Sequence, residues 1–257
     1  MNILAVGDVI GKPGRRALQQ FLPGLINEFS IDLVVANGEN SAHGIGITVK
    51  TAQELLDAGV DVITSGNHIW AQREIANYMD GDLPIIRPLN FPPGVAGRGY
   101  LIVNNVLVVN LIGRIFVGPA DCPFRAMDGL LSSLSPLPRV VLVDFHAEAT
   151  SEKIALGRYL DGRVSAVLGT HTHVGTTDSH VMAGGTAYVT DIGMVGPVDS
   201  IIGDDVENVL SSFLTGLPHR LSVGKGVAAL DAILLDINTE TGKALGITRI
   251  RREESES

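Results

Sequence analysis

Five short apolar runs recur along the chain, and each stops at a carboxylate, an amide or an imidazole. LAVG runs into Asp8, VVANG into Glu39 and Asn40, VITSG into Asn67, VVLVDF into His146, and AVLGT into His171 and His173. Runs this continuous in apolar residues read as strands covered on both faces. TVKTAQELLDAG, with Thr48 as its cap, and SEKIALGRYL lie between such runs and carry helical spacing. Strand, helix, strand at this spacing makes parallel βαβ units. Open α/β sheets place ligands beyond the carboxyl ends of their strands, so residues as far apart as Asp8 and His171 can meet at one rim.

The remaining segments add antiparallel order. The first strand is expected over 2–7, then a glycine-rich turn and a helix opened by Pro13, in which Pro23 predicts a kink or two short helices. YLIVNNVLVVNLIG predicts a tight hairpin about Asn104-Asn105. A helix is expected near 123–134, a second hairpin at HVMAGGTAYVT, a helix at GDDVENVLSSFLTG, and closing antiparallel strands at AALDAILLDIN and ALGITRIRR. The expected fold class is α/β, two sheets packed face to face with helices outside. We expect a single domain over 1–257, with residues 251–257 as a flexible C-terminal tail.

Hydrophobic residues make up 45% of the 257 and charged residues 18%, the balance of a compact soluble protein. A net charge of -9 opposes binding to a duplex nucleic acid, while small phosphorylated ligands respond to the local site and stay open. The single cysteine, Cys122, excludes an internal disulfide. ILAV is too short and lacks the basic flank of a signal peptide, and no apolar run approaches a membrane span, so the expected location is the cytoplasm. The sequence permits a homo-oligomer and specifies no symmetry for it.

Each strand-end residue alone has an ordinary reading. Asp8 suits a turn, Glu39-Asn40 a solvated loop, and Asn67 a cap. His68 near Trp70 and His146 beside Phe145 suit packed interior histidines, and His180 and His219 are read as structural or exposed. On an extended segment His171 and His173 would point to one side, roughly 7 Å apart. Together these residues form a mixed oxygen and nitrogen donor set, without thiolate, suited to iron, manganese or zinc and large enough for two ions. GDVIGKPGR matches neither a P-loop nor GxGxxG, and Ser41 lacks a nucleophile elbow.

GDVIGKPGR, NGENSAHGIGIT, GNHIW, DFHAEATSEK and GTHTHV, in this order from Asp8 to His173, resemble the metallophosphoesterase superfamily and within it the YmdB-like phosphodiesterases. The resemblance implies a four-layer αββα sandwich of two mixed β-sheets flanked by helices. It implies a dinuclear site held by Asp8, Glu39, Asn40, Asn67, His146, His171 and His173, with Glu39 bridging and His68 as the catalytic imidazole. The wider superfamily has Asp-x-His in the first motif and a bridging aspartate. Here Val9 and Ile10 follow Asp8, Glu39 replaces the aspartate, and Asn40 stands in for the missing imidazole. The more oxygen-rich site favours two ions of iron or manganese over zinc.

The activity implied is hydrolysis of a small phosphorylated substrate, a 2′,3′-cyclic or 3′,5′-cyclic nucleotide, by a hydroxide bridging the ions. His43, Arg114 and Thr172 are the candidate substrate contacts. The alternatives are a phosphomonoesterase acting on small metabolites or phosphoproteins, and a metal-stabilised regulatory or RNA-interacting protein.

Overall fold

Successive side chains of a strand point to opposite faces, so the apolar runs sort themselves between two interiors. Ile3 and Ala5 enter one buried cluster and Leu4 and Val6 another. The structure, a computed structural model, describes residues 1–255. Along the chain come β1 (Asn2–Val6), β2 (Asp8–Val9), α1 (Gly11–Phe29), β3 (Leu33–Asn37), α2 (Val49–Asp57), β4 (Val62–Thr64), β5 (Tyr100–Val103), β6 (Val106–Ile112) and α3 (Pro123–Ser133). Then follow β7 (Val140–His146), α4 (Thr150–Leu160), β8 (Ala166–Thr170), β9 (His180–Val181), β10 (Ala187–Val189), β11 (Met194–Pro197), α5 (Val206–Thr215), β12 (Ala228–Ile237) and β13 (Ala244–Glu253).

One sheet runs β2-β11-β12-β1-β3-β4 with β13 also on β12, and the other runs β5-β6-β7-β8-β10-β9. Leu4, Val6, Val34 and Ala36 pack on Leu18, Leu22 and Leu25 of α1 and Leu55 of α2. Ile3, Ala5, Leu33 and Val35 meet Val106, Val108, Val140 and Leu142 between the sheets. Leu107, Val109, Val141 and Val143 cover Met127 and Leu130 of α3 and Leu156 and Leu160 of α4. Three apolar interfaces thus separate four layers, αββα. Within the first sheet β1, β3 and β4 are parallel, and within the second β6, β7 and β8 are parallel.

Local chemistry explains most boundaries. Thr48 caps α2 through a reciprocal capping box with Thr51. Val103 pairs with Val106 across Asn104 and Asn105, whose φ values of 51° and 61° make the primed two-residue turn expected there. Two expectations change. Helix α1 runs unbroken through Pro23, because Pro23 and Gln19 lie on its exposed face, where water can take the carbonyl that loses its N–H partner, while Leu18, Leu22 and Leu25 stay buried. The tail expected from residue 251 is overturned through residue 254: Arg251 pairs with Asp231 in β12, and Glu254 lies 2.7 Å from Arg16 of α1. Residues 256 and 257 of that expected tail lie outside the described residues. No helix among the described residues is long and apolar enough to cross a membrane.

Gly169 sets how closely β8 approaches the segment after β10, since a Cβ there would meet the Thr190 carbonyl oxygen at 1.8 Å. Gly169→Ala should therefore destabilise the protein by about 1–3 kcal/mol, read as a lower urea midpoint at unchanged m-value.

Candidate metal centre

Three imidazoles are held so that a bare nitrogen of each faces the same rim. His146 ends β7, with Nδ1 3.0 Å from Thr170 Oγ1, and Thr170 gives its own hydroxyl proton to Asp144 Oδ1 at 2.7 Å. Thr170 must then accept from His146 Nδ1–H, which leaves the Nε2 lone pair free. His173 donates Nδ1–H to the Ile202 carbonyl at 2.7 Å, so its Nε2 is also bare, 3.4 Å from the Asn40 amide and 3.7 Å from Asp8 Oδ1. Glu148 lies 3.2 Å from His171 Nε2, favouring the proton there, and His171 Nδ1 faces His146 Nε2 at 3.0 Å.

The oxygens follow the same rule. His146 Nε2 is 2.9 Å from Glu39 Oε1 and 3.0 Å from Asn67 Oδ1. Glu39 Oε1 and Asp8 Oδ1 are fully buried and neither receives a hydrogen bond among the described residues; the His146 contact is close but out of line for one. Buried carboxylate oxygens without donors are costly unless a cation answers them. Lone pairs of Glu39, His146 and His171 lie within 4.8 Å of one another, as ligands of one ion must. The residues present therefore fit a metal, and their oxygen and nitrogen character fits a first-row ion.

Electrostatics point the same way. Burial pushes the Asp8 carboxyl up to about 6, against the pull of His173 and His146. Burial would raise Glu39 too, but His146 holds it down at about 2. Burial would lower His146, yet Glu39, helped by Asp8 and Asp144, drives it up to about 9. The carboxylates outnumber the positive charges here, and a proton or a metal ion at Nε2 answers the same surplus. Burial and the charge of His146 press His171 down to about 3, keeping it a neutral donor.

The GTHTHV segment is not extended. Strand β8 stops at Thr170, and His171 and His173 both adopt positive φ, 94° and 63°. Such backbone costs of order 1–3 kcal/mol per residue and needs support. Support comes from Asp191, which accepts from the Thr172 amide at 3.2 Å and the Thr172 hydroxyl at 2.6 Å. Asp191 is held in turn by Lys153 Nζ at 2.8 Å, an ion pair with side chains 0% and 1% exposed.

Known proteins share this sequence over nearly its whole length. The sequence model described as YmdB-like protein matches residues 4–250. A Bacillus subtilis (strain 168) protein named 2′,3′-cyclic-nucleotide 2′-phosphodiesterase is 45% identical over 254 residues, covering 97% of this chain and 96% of the relative. A Mycoplasma pneumoniae protein named putative phosphatase/phosphodiesterase is 34% identical, covering 100% of this chain and 94% of the relative. The chain belongs to the YmdB-like family. Among solved structures, a hypothetical protein from Thermus thermophilus superposes with a TM-score of 0.93 at 46% identity, covering 99% of this chain and 100% of its own. A Mycoplasma pneumoniae protein described as a novel phosphatase gives 0.94 at 34% identity, covering 100% of this chain and 94% of its own.

Family membership gives the motifs a physical meaning they lack as strings. In DFHAEATSEK, Asp144 orients His146 through Thr170, Glu148 faces His171, Glu152 accepts from the Arg114 and Ile115 amides, and Lys153 anchors Asp191. GNHIW needs Gly66 because a Cβ there would sit 2.1 Å from the His146 ring. The structure gathers Asp8, Glu39, Asn40, Asn67, His68, His146, His171 and His173 around one centre, with the His68 amide donating to Glu39 Oε2 at 2.9 Å. His43 and Thr172 line the cleft above it. The Thr172 hydroxyl is engaged by Asp191, so this residue braces the loop in place of donating to a substrate. Arg114 is not brought to the cleft: Glu152 pins its amide, and the residue lines a separate cavity with Phe124 and Ser151.

Sequence reading missed Asp144, Glu148, Lys153, Asp191 and Ile202. Asp144, Glu148 and Lys153 lie inside the quoted DFHAEATSEK stretch, so a signal existed; Ile202 acts through its carbonyl, which no side-chain pattern reveals. Asp191→Ala strands the Lys153 ammonium in the interior and should destabilise the protein by about 3–5 kcal/mol. A lower denaturation midpoint, with reduced metal retained on dialysis, is the expected result.

Proposed function

We propose that this chain is a dinuclear-metal phosphodiesterase acting on cyclic nucleotides, with 2′,3′-cyclic phosphates as the main substrate class and iron or manganese as the ions. The hydrolase class, acting on phosphoric esters, is supported by the names of the relatives in B. subtilis and M. pneumoniae. The observation that carries the metal reading is the meeting of three bare imidazole nitrogens with two buried, donorless carboxylate oxygens. Glu39, Asn67, His146 and His171 would hold one ion, and Asp8, Asn40 and His173 the other, with Glu39 between them. When bound, such ions supply Lewis-acid charge to phosphoryl oxygens and make water acidic enough to serve as the nucleophile near neutral pH.

The chain's own residues supply the rest. The cleft, about 800 Å³, is of a size for a nucleotide. The His68 Nε2 lies 3.1 Å from the Asn67 amide nitrogen, which donates to it, so the neutral ring carries its proton at Nδ1. Burial lowers the His68 pKa, which keeps the ring neutral. A phosphate bound beside the ring brings negative charge that favours the imidazolium, and in that protonated form His68 is the residue to deliver a proton to the departing ribose oxygen. As the new P–O bond to water forms, the P–O2′ bond breaks, O2′ takes that proton, and the phosphate stays on O3′. His43, exposed at the cleft wall, serves substrate binding.

Purified protein loaded under reducing conditions should carry close to two ions, and Glu39→Gln should lower that number and reduce kcat/KM at least a hundredfold with the fold intact. Unchanged turnover would overturn the bridging role. His68→Ala should keep its metal and lose roughly 10²–10⁴-fold in kcat, the range for general acid catalysis. A panel of 2′,3′-cyclic nucleotides, 3′,5′-cyclic nucleotides and phosphomonoesters should rank the 2′,3′-cyclic compounds first in kcat/KM. A monoester in first place would favour the phosphatase reading suggested by the M. pneumoniae relative's name.

A further inference from the structure

Beside the metal cleft lies a second cavity, of about 690 Å³, whose wall includes Lys12, Arg16, Arg220 and Lys225 and no carboxylate. The two cavities share His43, Arg220 and Leu221, so they adjoin along these residues. In a chain with net charge -9, four cations gathered around one groove oppose the average of the surface. Arg16 is engaged by Glu254 at 2.7 Å, but Lys12, Arg220 and Lys225 make no ion pair among the described residues. All three are exposed. A 2′,3′-cyclic mononucleotide brings a single phosphate, which the metal centre takes, and leaves these cations without a partner.

Resting on the phosphodiesterase reading of the cleft, we infer that the basic groove binds the phosphates upstream of the scissile one, so that the preferred substrate is a single-stranded oligoribonucleotide ending in a 2′,3′-cyclic phosphate. The terminal nucleotide occupies the metal cleft, and the preceding backbone passes Arg220 into the groove toward Lys12 and Lys225. No Phe, Tyr or Trp side chain lines the groove, and its one imidazole, His43, stands where it adjoins the cleft, so recognition along the groove is by charge and is indifferent to sequence. The reaction is unchanged: water adds to phosphorus, the P–O2′ bond breaks and O2′ is protonated. The product is an oligonucleotide with a 3′-phosphate.

The test compares kcat/KM for a 2′,3′-cyclic mononucleotide, its 5′-phosphorylated form, and a tetraribonucleotide with the same cyclic terminus, in the metal-loaded wild type and in Lys12→Gln/Lys225→Gln. Both substituted residues are exposed and outside the metal centre. The tetranucleotide should exceed the mononucleotide at least tenfold, and the double variant should remove most of that gain while leaving the mononucleotide within twofold. The tetranucleotide's log–log salt slope should be steeper than the mononucleotide's by about 2, as expected for three phosphate contacts on a single strand. Equal values for mononucleotide and tetranucleotide, or a gain that the double variant leaves intact, overturn the groove assignment while the phosphodiesterase reading stands. A gain already complete with the 5′-phosphorylated mononucleotide overturns the oligonucleotide in favour of a nucleoside bisphosphate. Loss of all turnover in the wild type, on every substrate, overturns the phosphodiesterase reading and this inference together.

Discussion

The approach of Glu39 to His146, 2.9 Å across the seam between the two sheets, is the constraint on which the rest of the site depends. Glu39 follows β3 of one sheet and His146 ends β7 of the other, so this contact exists only if the sheets pack face to face with their carboxyl ends at a common rim. The apolar cluster between the sheets supplies the driving force for that packing. Both side chains are fully buried, and a buried carboxylate against an imidazole is expensive to desolvate. The hydrophobic layers thus hold together groups that would not gather unaided, and a bound cation would offset their surplus negative charge.

Around that pair, the protein arranges protons so that lone pairs point inward. Asp144 through Thr170, the Ile202 carbonyl and Glu148 each occupy the outward nitrogen of one ring. This is how ligand imidazoles are oriented in metal sites generally: the outer partner selects the tautomer, and the inner nitrogen is left to bind. The positive φ values at His171 and His173 belong to the same design, since the loop must turn sharply to aim both rings from positions two apart. Lys153 and Asp191 hold that turn from beneath, a buried ion pair whose purpose is local geometry more than global stability.

The layered α/β architecture was legible because it rests on periodicity. Apolar runs such as VVLVDF read as doubly covered strands, Asn104-Asn105 signalled a tight turn, and helical spacing separated the runs at crossover length. The gathering of these polar residues was legible for a related reason, since strand ends in such sheets share a rim. Pro23 misled because a proline's cost depends on whether the carbonyl it orphans can reach water, which is a property of the helix's exposed face. Arg114 misled because residues at a strand end can leave the rim when a neighbouring side chain, here Glu152, captures the backbone.

By itself the sequence determined which residues carry donor atoms, their order along the chain, and the parallel topology that brings strand ends to one side, because these follow from residue chemistry and short-range period. The tertiary structure alone decided which nitrogen of each histidine faces inward, that GTHTHV turns through left-handed backbone instead of running extended, and that Lys153, from α4, supports it. It also decided that Lys12, Arg220 and Lys225 share a groove next to the cleft. Tautomers, loop strain and charge convergence depend on contacts between residues far apart in the chain, and no local pattern encodes the distance between them.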